Sequence, residues 1–285
     1  EHFSNGADQI KLFITGGVFD AEVEGEPGVL RMPLDIAQAV CDEAHKLGLR
    51  TSAHIESTEG VEVGLKAGVD TIEHGAPLTD ELLRLFKKNG LGNASSLTCT
   101  LSPALPFAVL SPEKTHSTHV QKVNGRVVYE GVATATRQAL ANGIPVGLGT
   151  DSACPFVTHY DMWREVVYFQ RHTGVTPEFA LHTATLKNAQ LLGVANETGS
   201  IETGKSADLI VLDANPLDDL CALRNVEQVY MAGKPVKYKA KHLPKIDAEL
   251  DGIMNGLDND PFVSEWNIAS EKKSLNPFAK RGAKE

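Results

Sequence analysis

The sequence predicts an α/β protein in which parallel strands alternate with helices. Three observations carry this. Short apolar runs end in Gly, Thr, Ser or Asp, each is followed by a stretch of helical periodicity, and the alternation recurs five times before residue 193. Such a series means parallel strands joined by right-handed crossovers. A doubly wound sheet and a TIM-type barrel both satisfy the pattern. No GxGxxG fingerprint or Walker loop favours a nucleotide fold, and five units are too few to close an eight-stranded barrel.

The elements follow in order. "DQIKLFITGG" is the first strand, with Ile10, Leu12, Phe13 and Ile14 forming a run that reads as buried although Lys11 sits inside it. "PLDIAQAVCDEAHKLG" is a helix with Ile36, Ala37, Val40 and Ala44 on one face. "RTSAHIES" is the second strand, followed by the helix "TEGVEVGLKAG", which Gly68 closes. "VDTIEHGAP" is the third strand, and "TDELLRLFKKNG" a helix opening on Thr79 or Asp80 and stopped by Gly90. "ASSLTCTLS" is the fourth strand. Residues 102–125 read as a loop too long to be a mere connector, before the helix "VVYEGVATATRQALANG" leads into the fifth strand, "IPVGLGTDS". Two helices, "DMWREVVYFQRHTG" and "TPEFALHTATLKNAQLLG", end the series. After residue 197, "GSIETGKSADLIVLDANPLDD" and "NVEQVYMAGKPVK" are short β runs separated by turn residues. Residues 240–285 read as a polar, aperiodic, loosely packed or disordered extension.

Composition narrows the partners. A net charge of −10 argues against nucleic acid or an anionic membrane surface, and no apolar run approaches the ~20 residues that cross a bilayer. Four scattered cysteines, Cys41, Cys99, Cys154 and Cys221, form no CxxC pair, which suits a reducing, cytoplasmic location. The opening "EHFSNGAD" reads as the tail of a helix already under way, so the natural start is expected upstream.

The strand ends carry the chemistry. Lys11 lies in the first unit, His54 ends the second, His74 the third and Asp151 the fifth. In parallel α/β proteins the carboxyl ends of the strands open on one face, so these four residues share a rim. Each alone has a plain structural account: a snorkelling edge lysine, hydrogen-bonded histidines, a turn-capping aspartate. Their joint placement favours function. Two imidazoles and a carboxylate suit zinc or a similar divalent ion, and a lone ammonium beside them would repel it. Glu56 and Glu73 neighbour the histidines as orienting acceptors, although alternation points Glu73 away from the side of His74.

The series "IKLFITGG", "SAHIES", "IEHG", "GLGTDS" and "GSIETGKSADLIVLD" resembles the amidohydrolase superfamily over residues 6–238, most of all its imidazolonepropionase-related and Xaa-Pro dipeptidase-like members. The resemblance implies strands four to eight of a TIM-type (β/α)8 barrel over residues 1–195, part of a small β-sandwich over 196–239, and the extension 240–285. It implies that carbon dioxide converts Lys11 into a carbamate bridging two divalent metals, zinc by expectation. His54 and His74 would then bind one metal, and Asp151 would bind the other and shuttle the proton. The expected reaction is hydrolysis of an amide C–N bond, in a dipeptide or an N-acyl amino acid, by metal-activated hydroxide. A mononuclear deaminase or cyclic-amide hydrolase is the alternative, and a non-catalytic, partner-binding relative is the alternative of another class.

The backbone of Gly16 and Gly17 is expected near a small-molecule substrate, with Arg126, Tyr129, His159 and Tyr160 offered by the segments after the fourth and fifth strands of this chain. One departure stands out. The family pattern carries an HxH motif on barrel strand one, and no HxH occurs in this sequence; His116 and His119 are three apart and do not match it. The expectation is that barrel strands one to three lie outside this chain, which by itself holds at best half of the metal site and is inactive or incomplete. It would associate with the absent N-terminal segment or with a second copy of itself.

Overall fold

The computed structural model describes residues 3–86, 94–237 and 240–264. The chain divides into two compact units, 1–149 and 150–285. The expected helix stop at Gly90 and residues 265–285 of the expected extension lie outside the described residues.

The first unit is built on a five-stranded parallel sheet with the strands in chain order: β1 (Gln9–Phe13), β2 (Arg50–Ile55), β3 (Thr71–His74), β4 (Ser96–Cys99) and β5 (Val146–Leu148). Register places Lys11 opposite Ser52, Phe13 opposite His54, and Ile55 opposite His74. Leu12, Ala53, Ile55, Ile72 and Leu97 point to one face of the sheet and are buried. Against that face lie α1 (Leu34–Lys46) and α2 (Thr58–Ala67). Helix α2 sits close because Gly64 faces the sheet: a Cβ there would meet Ile55 Cδ1 at 2.7 Å and Ile72 Cδ1 at 3.0 Å. Ser57 caps its first turn, and Gly68, at φ 89°, ends it in the left-handed conformation. Thr79 caps α3 (Asp80–Leu85).

Three readings of the sequence are corrected here. Strand β1 is not buried on both faces: Lys11 is exposed and Phe13 is 55% exposed, because they lie on the sheet face opposite the helices. In α1 the buried line is Ala37, Cys41 and Ala44, while Ile36 is 51% exposed, so the apolar face is turned from the one that periodicity suggested. Residues 102–125 are not a loop. They form most of α4 (Leu101–Val109), all of α5 (Pro112–Thr115) and the start of α6 (His119–Ala141). Pro103 and Pro106 disguise α4 as a loop, yet its residues Leu101, Ala104, Leu105 and Phe107 are buried. Helix α6 opens on a capping box in which Thr118 and Gln121 satisfy each other's backbone.

At the amino-terminal end of the sheet, Asp70 binds α1 and β2 together. It is 1% exposed, and its Oδ2 accepts from the Thr51 N–H at 2.7 Å and the Thr51 hydroxyl at 2.9 Å, with His45 Nε2 at 2.9 Å.

The second unit holds α7 (Met162–Thr173), α8 (Pro177–His182), α9 (Asn188–Leu192), and an antiparallel sheet of β6 (Leu209–Leu212), β7 (Val226–Met231) and β8 (Lys234–Pro235). Residues 244–256, expected to be aperiodic, form α10 (Pro244–Gly256), because Leu250, Ile253, Met254 and Leu257 recur at helical spacing and are buried. Arg164, 2% exposed, fastens α10 to α7: its Nε donates to Asp161 at 3.0 Å and an NH2 group to Asp251 at 2.8 Å, and Arg224 grips the same Asp251 with two hydrogen bonds. Among the described residues no helix is long and apolar enough to cross a membrane.

The Asp70 network yields a first prediction. Asp70→Ala strips three contacts from a buried position and lowers the stability of the first unit by about 3 kcal/mol or more. Urea denaturation of the variant against the parent chain measures it, and a loss under ~1 kcal/mol refutes the role given to Asp70.

Candidate metal centre

Strands β2 and β3 end side by side, and each ends on an imidazole. His54 lies opposite Phe13 in the register, and their rings stack at 4.2 Å with an interplanar angle of 3°. On the other side, the His54 and His74 rings meet edge to face with centroids 4.7 Å apart. Strict alternation along β3 would put His74 on the helix side, since Glu73 is the residue opposite His54. The backbone escapes that rule. His74 has φ 67° and Gly75 φ 84°, so the chain leaves the strand at His74. Histidine tolerates the left-handed region better than most residues.

His74 is 5% exposed, and its Nδ1 lies 2.6 Å from Thr100 Oγ1. Burial, then the neighbouring His54, then the charge of Lys11 hold its pKa well below the ordinary imidazole value. The ring is therefore neutral at physiological pH, the form that binds metal. An Nδ1–H donated to Thr100 leaves the Nε2 lone pair for a cation.

Glu56 completes the cluster. It stands two residues beyond His54, and ligand atoms of His54, Glu56 and His74 all lie within 4.8 Å of one another. Its backbone N–H donates to Thr15 Oγ1 at 2.9 Å, and its Oε2 accepts from the Val18 N–H at 3.1 Å. Two imidazoles and a carboxylate at this separation fit a divalent cation of the zinc type. Sequence reasoning placed Glu56 as an orienting neighbour; the structure puts its carboxylate within reach of both imidazoles, as a candidate ligand.

Gly16 and Gly17 lie in the same place. The Gly16 carbonyl is 3.3 Å from His54 Nε2, and a Cβ on Gly17 would stand 2.9 Å from Glu56 Oε2 and 3.1 Å from His54 Nε2. A side chain at Gly17 would press on both and displace the Glu56 carboxylate. Lys11 shares the sheet face of His54, two residues earlier in the register, and its charge reaches His74.

The first unit thus brings together Lys11, Gly16, Gly17, His54 and His74. Arg126 and Tyr129 lie on α6: Tyr129 is fully buried, and Arg126 stacks over its ring at 5.3 Å while pairing with Glu130. Asp151, His159 and Tyr160 belong to the second unit. Asp151 is exposed, has φ 53°, and its Oδ2 accepts from Cys154 Sγ at 3.2 Å. His159 is exposed. The Tyr160 hydroxyl donates to Asp247 at 2.9 Å and accepts from the Leu243 N–H at 2.8 Å, so it anchors the approach to α10.

Beside the cluster is a cavity of about 510 Å³. Its walls are residues 25–30 of the β1–α1 segment, the start of α2 from Glu56, Gly75–Pro77, and Val127, Val128 and Gly131 of α6. Sequence reasoning took Gly16 and Gly17 from the β1–α1 segment but passed over residues 18–32. Its length without regular structure was the available signal.

Fold and rim define an α/β protein with a parallel sheet and a candidate divalent-metal centre at the carboxyl ends of its strands. The chain belongs to the amidohydrolase family, whose profile matches residues 1–236. It is similar to a proposed prolidase of known structure from Bifidobacterium longum, at 44% identity and a TM-score of 0.82, over 88% of this chain and 61% of that one. A Xaa-Pro dipeptidase with methionine bound in its active site superposes with a TM-score of 0.70 at 30% identity, over 83% of this chain and 56% of that one. Ochratoxinase of Aspergillus niger is 26% identical over 236 residues, 81% of this chain and 47% of the relative. The chain spans about half the length of the curated relatives it matches.

His74 generates a pH prediction with a definite sign. Its pKa is depressed in the folded state, so below about 6.5 the unfolded chain takes up a proton that the folded chain refuses. In the presence of a chelator, stability falls as pH drops from 7 through this range and is level above it. His74→Asn removes part of that slope. Denaturation midpoints measured from pH 5 to 8 read the difference, and identical slopes would contradict a neutral buried imidazole.

Proposed function

We propose that this chain supplies the metal-bearing half of an amide-bond hydrolase. The observation that carries the reading is the buried neutral His74 against His54 and Glu56 at the ends of adjacent parallel strands. In this reading β1–β5 are strands four to eight of the barrel. Residues outside this chain supply the first three strands, with their HxH pair. Two facts support it: the chain spans about half of its relatives, and Lys11 and Phe13, on the sheet face opposite the helices, are exposed.

By the family resemblance, Lys11, His54, His74 and Asp151 would hold two divalent ions, with Glu56 as a further carboxylate beside the imidazoles. Lys11, once deprotonated, would bond to carbon dioxide through its amine, lose a second proton to solvent and become an anionic carbamate. That inversion of charge removes the repulsion an ammonium would exert on a cation. Lewis acidity is the chemistry a divalent ion would supply when bound, lowering the pKa of water toward neutrality and polarising the scissile carbonyl. Asp151 accepts the proton of the attacking water and delivers it to the departing nitrogen. His54 and His74 stay neutral throughout, His74 oriented by Thr100. The substrate is a dipeptide or an N-acyl amino acid. Neighbours named prolidase and Xaa-Pro dipeptidase favour a bond to a proline nitrogen.

The test uses the full-length protein supplied with zinc and bicarbonate and assayed on Xaa-Pro dipeptides and N-acetyl amino acids. Hydrolysis, two metal ions per chain and loss of both on chelation are expected. His54→Asn and His74→Asn each lower kcat by about 100-fold or more together with metal content. One ion per chain moves the protein to the mononuclear cyclic-amide reading. Hydrolysis indifferent to chelator refutes the metal mechanism, and a metal-loaded protein without activity supports the non-catalytic alternative.

A further inference from the structure

We propose that Asn124 is a positioning residue: it clasps the 14–33 segment to α6 and thereby holds Glu56 in the metal centre. The inference rests on reading His54, Glu56 and His74 as that centre.

The segment is a loop tied at its base. The Gly16 N–H donates to the Val29 carbonyl at 2.8 Å, the Arg31 N–H to the Ile14 carbonyl at 2.8 Å, and Thr15 bridges to Leu30. From that base the chain passes directly over the candidate ligands. Val18 donates its N–H to Glu56 Oε2, Gly17 leaves space for Glu56 and His54, and the Gly16 carbonyl faces His54 Nε2. A carboxylate whose oxygen is held by a backbone N–H is only as well placed as that backbone.

The far end of the loop is fixed by side chains roughly a hundred residues away in sequence. Asn124, on α6, is fully buried. Its Oδ1 accepts from the Gly25 N–H at 2.7 Å and its Nδ2 donates to the Val23 carbonyl at 2.9 Å. An asparagine amide offers a donor and an acceptor as a peptide group does, so it reads two backbone groups of the turn closed by the Glu26 N–H and Val23 carbonyl, where Gly25 has φ 83°. Neighbouring contacts are weaker: Phe19 rests edge-on against Phe107 at 5.1 Å, Gln121 reaches the Phe19 carbonyl at 3.4 Å, and His119 faces Glu24 across exposed surface. Asparagine is a poor residue for a helix interior, and its use at a buried position of α6 is explained by this double bond. The loop and α6 also form facing walls of the cavity beside Glu56, through residues 25–30 and Val127, Val128 and Gly131. The clasp therefore sets the width of that cavity as well as the position of the carboxylate.

The experiment measures residue-resolved amide exchange and the affinity for zinc ion alone, in the full-length protein and in Asn124→Ala and Asn124→Asp. The alanine variant is expected to speed exchange at both Gly25 and Val18 by about 10-fold or more and to weaken zinc binding about 10- to 100-fold, with Ala53 and Ile72 unchanged. Asn124→Asp keeps the acceptor for Gly25, loses the donor to Val23, and falls between the two; being close in shape, it also serves if the alanine variant does not fold. Faster exchange confined to Gly25, with Val18 as in the parent, overturns the proposal. So does an equal rise at Ala53 and Ile72, which would mean general loosening. A parent protein that binds no zinc removes the metal reading, while Val18 exchange still decides whether the clasp acts over the loop.

Discussion

Two imidazole rings 4.7 Å apart, on neighbouring parallel strands, set the terms for the rest of the first unit. Bringing them together requires a register in which Ile55 faces His74, and a backbone that leaves β3 at His74 with positive φ. Were both charged, they would repel at short range in a poorly solvated place. The structure avoids this by burying His74 and by setting the Lys11 charge near it, both of which favour the neutral ring. The neutral ring that results is the form that binds a cation.

The surrounding architecture serves that placement. Packing on the helix side of the sheet, where Gly64 lets α2 approach and Asp70 ties α1 to β2, fixes where the strands end. The loop after β1 then folds back over the strand ends and supplies backbone in place of side chains, with Gly17 admitting Glu56 and His54. Left-handed backbone at His74 and Asp151 places conformational strain at residues of proposed function, where the surrounding packing must hold it. Strain of that kind is tolerated in proportion to what encloses it.

Much of this was legible in the sequence, for reasons particular residues make plain. His54 and His74 announced themselves because each closes a short apolar run just before Glu56-Ser57 or Gly75, so their strand-end position follows from local pattern. Gly68 and Thr79 marked helix ends correctly by the same local logic. What was not legible depends on neighbours distant in sequence. The exposure of Lys11 and Phe13 depends on what covers one sheet face, which β1 cannot state. Glu56 comes within reach of the two imidazoles beside a segment distant in sequence, where Val18 donates to its carboxylate and Gly17 leaves it space. The loop assigned to 102–125 was a local error: Pro103 and Pro106 outweighed an apolar pattern, and the Thr118–Gln121 capping box was there to be read.

The central claim is that His54, Glu56 and His74 hold a divalent ion. Anomalous diffraction at the zinc edge, from crystals of the full-length protein grown with zinc, tests it most directly. The account predicts a peak at coordination distance from both imidazole rings and at least one carboxylate beside them. A zinc-replete protein whose peaks all lie elsewhere, with the His54 and His74 rings still packed on each other, would contradict it.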